Sequence, residues 1–253
     1  MEYGLIGEKL GHSFSKLIHE SLSDYTYELH PLPPEALKEF MTKRAFRAVN
    51  VTIPYKRAVM LFLDEIDEAA KEIGAVNTVV NRDGKLWGYN TDYLGFLYSA
   101  RSHEVDFAGK EVLLLGNGGA SQAVKAAVRV LGADTIYVAS RTPDEDDETS
   151  LAYEDLPEHY DVDIIINCTP VGMFPDVDEQ VISLRHFSAC QAVFDLIYNP
   201  LKTRLLKEAD GRRPMEPVSI AHSSVRMSPK RFGQRSTSNS RGRLRSCMAA
   251  LST

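Results

Sequence analysis

The chain has 253 residues, of which 43% are hydrophobic and 25% charged, which is ordinary for a globular protein and long enough for two domains. No apolar run approaches the roughly 18 residues that a membrane-spanning helix needs, and the first residues lack a signal-peptide pattern. Three scattered cysteines indicate a reducing, cytoplasmic setting and argue against a disulfide framework or a zinc site.

The net charge of −6 is unevenly distributed along the chain. Residues 212–253 hold nine of the 29 lysines and arginines and a single acid, so they carry +8 while residues 1–211 carry −14. A main body this acidic argues against nucleic-acid binding.

The first half of the chain alternates between strand-like and helix-like segments. We predict strands over residues 2–6, 25–29, 46–51 and 86–89, and helices over residues 16–22, 34–42 and 93–100. Residues 57–71 are predicted as one or two short helices, and residues 82–85 as a hairpin turn. The alternation favours an α/β domain with a mostly parallel sheet.

A break follows the strand over residues 46–51. Pro54 cannot donate to a sheet ladder, so the strand ends before it, and Thr52 and Lys56 lie on either side of the break. In α/β proteins the end of a strand is a common place for side chains that face a cleft. Lys56 is therefore a candidate catalytic group, although a lysine after a turn also suits an ordinary surface position.

Four other polar residues of the first half have two interpretations each. Ser13 and Ser15 either cap the helix that follows or bind a polyol or a carboxylate in a cleft. Asn77 lies among small and β-branched residues, so its amide is either buried or directed at a ligand. Asp92 either caps the next helix or supplies the carboxylate partner that a catalytic Lys56 needs.

The second half begins with a dinucleotide-binding pattern. A continuous apolar strand over residues 111–115 leads into a glycine turn and then into a small-residue helix over residues 122–131. Glycine permits the tight turn and lets the backbone approach a pyrophosphate, which the helix N terminus attracts. The turn reads Gly116-Asn117-Gly118-Gly119-Ala120-Ser121, with Ser121 at a position that usually holds Gly or Ala.

The next strand, over residues 135–139, ends in Ser140, Arg141 and Thr142. An NAD-binding protein usually has an acidic residue here to hold the ribose 2′-hydroxyl, whereas Arg141 suits the 2′-phosphate of NADP. Strands over residues 163–167 and 191–196 follow, and their carboxyl ends are expected at the crevice that binds nucleotide and substrate.

No metal site is predicted. His12 and His19 are spaced to share a helix face, but the sequence offers no third ligand within reach.

Taken together, these stretches resemble the shikimate dehydrogenase family. The matching segments are residues 11–15, 50–56, 74–78, 90–92 with Gly95, 116–120, 140–142, 167–173 and 195–200. The resemblance implies an N-terminal α/β substrate domain and a Rossmann-like NADP-binding domain with a parallel sheet. It also implies the reversible NADPH-dependent reduction of 3-dehydroshikimate to shikimate, a step of chorismate and aromatic amino-acid biosynthesis.

The resemblance implies a role for individual residues as well. Lys56 would be the catalytic acid/base, supported by Asp92. The substrate ligands would be Ser13, Ser15, Thr52, Asn77, Asp92 and Tyr198. The cofactor ligands would be Gly116, Asn117, Gly118, Gly119 and Ala120 at the pyrophosphate, Ser140, Arg141 and Thr142 at the 2′-phosphate, and Thr169 and Leu196 along the cofactor.

We expect a substrate-binding and catalytic domain over residues 1–103 and an NADP-binding domain over residues 104–211. The resemblance fails after about residue 210, where the family continues with a Gly-Leu-x-Met-Leu helix that carries a glutamine to the substrate. Residues 212–253 instead hold nine serines and nine basic residues without a helical period. Such a composition specifies no packed element and indicates a disordered basic tail or a shifted reading frame.

Two alternatives to the main interpretation stay open. A quinate/shikimate dehydrogenase that uses NAD would share the fold, although Arg141 argues against NAD. A silent nucleotide-binding protein would result if the loss of the C-terminal helices abolishes turnover. The expected partners are small-molecule substrates, with no nucleic acid and no membrane, and the expected assembly is a monomer or a homodimer.

Overall fold

A computed structural model describes residues 1–10, 13, 15–212 and 215–219. The described chain divides into two compact units, the first ending at Thr91 and the second starting at Asp92. Each unit has its own β-sheet and its own hydrophobic clusters, which confirms the predicted α/β class. None of the helices in these ranges is long and apolar enough to cross a membrane.

The first unit is built on a mixed six-stranded sheet. Its strands are β1 (Tyr3–Gly7), β2 (Tyr27–Pro31), β3 (Ala48–Val51), β4 (Glu65–Ile66), β5 (Thr78–Arg82) and β6 (Lys85–Tyr89). Their order across the sheet is β2-β1-β3-β5-β6-β4. The α-helices of this unit are α1 (Ser15–Leu22), α2 (Leu37–Lys43) and α3 (Glu68–Ile73), and 3₁₀ helices cover Pro34–Ala36 and Ala58–Phe62.

The sheet of the first unit is parallel on one side and antiparallel in the middle. β1 is parallel to β2 and β3, as the alternation of strands and helices predicted. β5 is antiparallel to β3 and forms an antiparallel hairpin with β6. The predicted turn over residues 82–85 is confirmed, because Asp83 and Gly84 have φ angles of 52° and 85°, the left-handed pair that a tight hairpin with the twist of its strands requires.

The prediction for residues 57–71 is wrong in the middle of the segment, where β4 separates the 3₁₀ helix from α3. β4 pairs in parallel with β6. Asp64 anchors the segment there, because its carboxylate accepts hydrogen bonds from Leu86 N and from the Arg44 guanidinium, each at 2.7 Å. Periodicity alone could not show these contacts, since both partners are distant in sequence.

Apolar side chains of this sheet alternate between its two faces. Ile6, Val49 and Val51 belong to one buried cluster, and Leu5 and Val80 belong to another. Both faces are therefore covered, which leaves the ends of the strands as the places where polar side chains can meet a ligand.

The second unit is built on a parallel six-stranded sheet, as predicted for a nucleotide-binding domain. Its strands are β7 (Glu111–Leu115), β8 (Thr135–Ala139), β9 (Ser150–Leu151), β10 (Ile164–Asn167), β11 (Ala192–Asp195) and β12 (Glu216–Ser219), in the order β12-β11-β10-β7-β8-β9. Its helices are α4 (Thr91–Ser102), α5 (Gly119–Val130) and α6 (Arg204–Asp210), and 3₁₀ helices cover Tyr153–His159 and Leu184–His186. Four consecutive β7 side chains, Val112 to Leu115, are fully buried, so this strand is covered on both faces.

Helix α4 packs into the core of the second unit. Phe96, Leu97 and Ala100 lie in the same buried cluster as Phe107 and Phe194, and the Phe96 and Phe194 ring centroids are 5.3 Å apart. This packing explains why the compact units divide at the start of α4. The functional boundary between residues 103 and 104 stays a prediction.

Residues 215–219 correct the expectation that nothing beyond residue 211 forms a packed element. β12 pairs in parallel with β11, and Met215 and Val218 are buried in the clusters of the second unit. The average composition of residues 212–253 conceals this short apolar segment, which pairs with a strand edge that would otherwise have unpaired backbone groups. Residues 213, 214 and 220–253, which include the rest of the predicted tail, lie outside the described ranges.

Candidate active site

In the first unit, backbone hydrogen bonds attach residues 50–56 to the segment that carries Asn77. Val51 N donates to Asn77 O (2.8 Å), and Val76 N donates to Lys56 O (2.7 Å). The two segments are thus joined on both sides of the strand break. Because β3 ends where β5 begins, the fold brings Lys56 and Asn77 to the same end of the sheet.

The break itself is a tight turn anchored from inside the unit. Tyr55 N donates to Thr52 O (2.9 Å), and Thr52 N donates to Ile6 O (2.9 Å) at the end of β1. The Tyr55 side chain is buried and its hydroxyl donates to Leu32 O. Thr52 and Lys56, on either side of this anchor, are half-buried. The turn therefore places a hydroxyl and an ammonium group at the end of β3, an interior strand of the sheet.

The Asn77 amide is buried, with 7% of the residue exposed. Its Oδ1 accepts a hydrogen bond from Thr91 N (2.9 Å), and its Nδ2 donates to Thr91 Oγ1 (3.0 Å). The amide therefore binds the first residue of α4, the helix whose second residue is Asp92.

Ser13 and Ser15 are paired with each other. Ser13 Oγ donates to Ser15 Oγ (3.0 Å) and accepts from Ser15 N (3.2 Å). Ser15 is the first residue of α1, so Ser13 does satisfy a backbone donor at the start of that helix. The capping interpretation and the ligand interpretation are compatible, since each hydroxyl oxygen has two lone pairs. Gly11, His12 and Phe14 lie outside the described ranges.

In the second unit, Asp92 lies in the first turn of α4 and is half-buried. It is the second residue of this helix and therefore follows the capping position. A carboxylate in a first turn is favoured by the partial positive charge of the helix N terminus. Tyr198, three residues after β11, is 40% exposed.

The glycine turn has the backbone conformation that its sequence predicts. Gly116 has a φ of +96°, and a Cβ at this position would lie 2.9 Å from Thr169 Cγ2. Gly118 is the N-cap of α5, and a Cβ there would meet nothing within 4 Å. The first turn of α5 holds no acidic residue, so the positive end of the helix is not neutralised by its own side chains. Ser121 is buried against Cys168, where a small side chain lets helix and strand approach.

The segment after β8 is connected to the glycine turn. Asn117 Nδ2 donates to Thr142 O (3.2 Å), and Ser140 Oγ accepts from Thr142 N (3.2 Å). Ser140 is buried, while Arg141 and Thr142 are exposed. An exposed guanidinium beside a glycine turn is chemically suited to a phosphate group.

Residues for which no role was predicted form a buried network behind Thr169. Asn167 Oδ1 accepts from Thr169 Oγ1 (2.7 Å), and Asn167 Nδ2 donates to Asp195 Oδ1 (3.1 Å). Thr203 Oγ1 donates to Asp195 Oδ2 (2.7 Å). Burial raises the pKa of Asp195 to about 6. The sequence pattern that could have identified this network is a polar residue at the end of each of two apolar strands, β10 and β11. Leu196, the residue after Asp195, packs at the edge of the core.

The described residues contain no group of three His, Cys, Asp or Glu side chains that could hold a metal ion. His19 instead bonds to Tyr25 Oη through Nδ1 (2.7 Å) and stacks on the Tyr27 ring at 4.1 Å. His12 lies outside the described ranges.

Gly116 gives a test of the turn geometry. We expect Gly116→Ala to destabilise the second unit by about 1–3 kcal/mol, because alanine is strained at a positive φ and its methyl group would contact Thr169. Gly118→Ala is the matched control, since its site is open and its φ is −71°. Gly118→Ala should weaken dinucleotide binding but leave the free energy of unfolding nearly unchanged. Denaturant unfolding and NADP titration of both variants distinguish these outcomes, and equal stability losses would contradict this account of the turn.

One unit has a parallel sheet with a glycine turn ahead of α5, and the other is an α/β unit that carries Lys56 and Asn77 at one end of its sheet. Together these features define the class of a two-unit, Rossmann-like dinucleotide-binding protein. A family model described as the shikimate dehydrogenase substrate binding domain matches residues 5–79. The shikimate dehydrogenase (NADP(+)) of Clostridium beijerinckii is 41% identical over 219 residues, which are 81% of this chain and 81% of the relative.

Solved structures of shikimate dehydrogenases have folds similar to that of this chain. Shikimate dehydrogenase 1 of Peptoclostridium difficile has a TM-score of 0.78 at 33% identity and covers 95% of this chain and 94% of its own. The Thermus thermophilus enzyme in complex with NADP(H) and shikimate has a TM-score of 0.74 at 32% identity, over 89% of this chain and 88% of its own. The chain belongs to the shikimate dehydrogenase family, which confirms the resemblance seen in the sequence.

Proposed function

We propose that this chain catalyses the reversible NADPH-dependent reduction of 3-dehydroshikimate to shikimate, the activity of the family to which it belongs. The observation that carries the proposal is the double backbone connection that holds Lys56 and Asn77 at one sheet end, within the matched substrate-binding segment. We assign substrate binding and catalysis to residues 1–103 and NADP binding to residues 104–211.

The residues of the second unit fit NADP. Gly116, Asn117, Gly118, Gly119 and Ala120 would hold the pyrophosphate, because a side chain at Gly116 would clash with the protein and the backbone at Gly118 is open. The 2′-phosphate would bind to Ser140, Arg141 and Thr142. Thr169 and Leu196 would line the rest of the cofactor. When bound, NADPH supplies the hydride that the reduction needs.

The catalytic role is proposed for Lys56, supported by Asp92. Lys56 Nζ would donate a proton to the ring-ketone oxygen as negative charge develops on it, and would accept that proton in the reverse direction. The Asp92 carboxylate would stabilise the ammonium form. A proton donor held in position in this way contributes about 10²–10⁴ to a rate.

Substrate binding is proposed for Ser13, Ser15, Thr52, Asn77, Asp92 and Tyr198. The hydroxyls and the amide match the alcohol groups of shikimate, and these groups together with the Lys56 ammonium can bind its carboxylate. The buried Asn77 amide would discriminate most strongly, because a buried polar group left without its ligand is costly.

Cofactor preference tests the assignment of Arg141. Arg141→Ala is expected to raise the KM for NADP about 10-fold or more, because a charge-assisted contact to the 2′-phosphate is lost, and to leave the KM for NAD unchanged. Arg129→Ala, which removes an equal charge at the exposed far end of α5, is the control. An equal effect on NADP and NAD would contradict the assignment.

The function itself is tested by following the NADPH absorbance band with four pairs: shikimate or quinate, each with NADP or NAD. We expect the highest kcat/KM for shikimate with NADP. A preference for quinate or NAD would support the alternative within the fold, and NADP binding without turnover would support the silent binding protein. A version that carries the family's C-terminal helix tests whether the tail of this chain lowers turnover.

We propose a cytoplasmic location, supported by the free thiols of Cys168 and Cys190. The proposed assembly is a monomer or a homodimer whose partners are its small-molecule substrate and cofactor, with no nucleic acid.

A further inference from the structure

A line of hydrogen bonds crosses the sheet of the first unit and ends at Asn77. Tyr27 Oη donates to Asn50 Oδ1 (2.6 Å), and Asn50 Nδ2 donates to Thr78 Oγ1 (3.1 Å). Thr78 Oγ1 in turn donates to Asn77 Oδ1 (3.1 Å). Tyr27 starts the line on β2 and reaches across β1, while Asn50 on β3 lies directly opposite Thr78 on β5.

The line lies in the interior of the unit. Tyr27, Thr78 and Asn77 are 2%, 4% and 7% exposed. Polar groups at such positions are costly unless they are paired, so each bond is needed to satisfy its neighbour. Burial also raises the pKa of Tyr27 well above its ordinary value, which keeps its hydroxyl protonated and able to donate. His19, stacked on the Tyr27 ring, fixes the direction of that side chain.

The line has a direction, and the direction sets the orientation of the Asn77 amide. Thr91 N can only donate, so its 2.9 Å contact identifies Oδ1 of Asn77. The Thr78 hydroxyl donates to the same oxygen. Nδ2 is therefore the other branch of the amide, and it donates one of its two protons to Thr91 Oγ1 (3.0 Å), a hydroxyl that also lies 3.2 Å from Oδ1. The orientation determines where the second proton is directed.

We propose that Tyr27 is a positioning residue for shikimate: through Asn50 and Thr78, it holds the Asn77 amide in the orientation in which Nδ2 donates to a substrate hydroxyl. This inference rests on the proposed function, which assigns Asn77 to the substrate. Without the Tyr27 hydroxyl, Asn50 Oδ1 loses its 2.6 Å donor, and the Asn50 amide, left with its His19 and Thr78 contacts, can turn. Thr78 then loses the bond that directs its own proton to Asn77.

The test is Tyr27→Phe in the full chain, which keeps the ring and removes only the hydroxyl. We expect the KM for shikimate to rise about 5- to 10-fold, the cost of about one hydrogen bond, with kcat and the KM for NADP within about twofold. Tyr3→Phe is the matched control. It removes a hydroxyl from the same buried cluster, on the β1 residue paired with Tyr27, and that hydroxyl is not part of the line. Its KM values should stay within about twofold of the wild type.

A second variant distinguishes positioning from general loosening of the fold. Thr78→Val interrupts the same line at another point, so Tyr27→Phe and Thr78→Val should be strongly non-additive in kcat/KM when combined. Additive effects, an unchanged KM in Tyr27→Phe, or an equal rise in Tyr3→Phe would overturn the inference. Failure of the wild type both to turn over and to bind shikimate in calorimetry would instead overturn the proposed function, and the inference with it.

Discussion

Replacement of Lys56 by methionine is expected to lower kcat for shikimate oxidation by about 10²–10⁴-fold, because methionine has a stem of similar length but no amine to accept the hydroxyl proton. The loss should appear in kcat, since proton transfer belongs to the reaction step, and the affinity for NADP should be unchanged. Initial rates at the NADPH band and NADP titration by fluorescence measure the two quantities separately.

A control removes an equal charge elsewhere in the first unit. Lys71 lies on α3 and pairs with Glu68 at 3.0 Å, so Lys71→Met should retain nearly full activity. Circular dichroism of both variants must match the wild type. A Lys56→Met enzyme with more than about a tenth of wild-type kcat would exclude Lys56 as the catalytic acid/base.

The second large expected effect is on stability and concerns Asp195. Its pKa in the folded protein, about 6, lies above the ordinary value of 3.8 because the carboxyl is buried. The folded state therefore binds this proton more tightly than the unfolded state does. As pH rises from about 4 to about 6, ionisation of Asp195 should lower the free energy of unfolding by up to about 3 kcal/mol.

Asp195→Asn removes this ionisation while keeping the shape of the side chain. The stability of the variant relative to the wild type should therefore improve by up to about 3 kcal/mol between pH 4 and pH 7, as measured by denaturant unfolding at each pH. If the difference in free energy of unfolding between variant and wild type stayed constant from pH 4 to pH 7, the Asp195 carboxyl would have the same pKa in the folded and unfolded states. That result would contradict the prediction.

Thr203→Val checks the cause of the same shift. The Thr203 hydroxyl stabilises the ionised Asp195, so its removal should raise the pKa of Asp195 further. The pH range over which ionisation lowers the free energy of unfolding should then move upward. The variant should also lose about 1 kcal/mol at every pH, because Thr203 caps α6 by accepting a hydrogen bond from Leu206 N. If that pH range moved downward instead, Thr203 could not be the group that stabilises the ionised Asp195.

Features determined by neighbouring residues could be predicted from the sequence. Val112 to Leu115 of β7 are all apolar because both faces of the strand are covered, and Gly116 follows because the turn needs a positive φ. The hairpin at Asp83 and Gly84 is likewise determined within four residues. These local patterns identified the nucleotide-binding unit and the strand break at Pro54.

Features determined by distant residues could not be predicted in the same way. Asp195 bonds to Asn167, 28 residues away, and Tyr27 bonds to Asn50, 23 residues away. Neither spacing has a periodic signal, because a hydrogen bond across a sheet depends on the order of strands. The pairing of β12 with β11 was not predicted for a related reason. A strand of four residues has too short a sequence pattern to be recognised, and it forms here because it pairs with the free edge of β11.

The central claim is that this chain transfers a hydride from NADPH to the ring ketone of 3-dehydroshikimate. The most direct test is to incubate the full chain with 3-dehydroshikimate and NADPH deuterated at the transferable position of the nicotinamide, and to analyse the product by NMR. We predict shikimate with deuterium on the carbon that carried the ketone. Recovery of unreduced 3-dehydroshikimate from a folded protein that binds NADPH would contradict the claim.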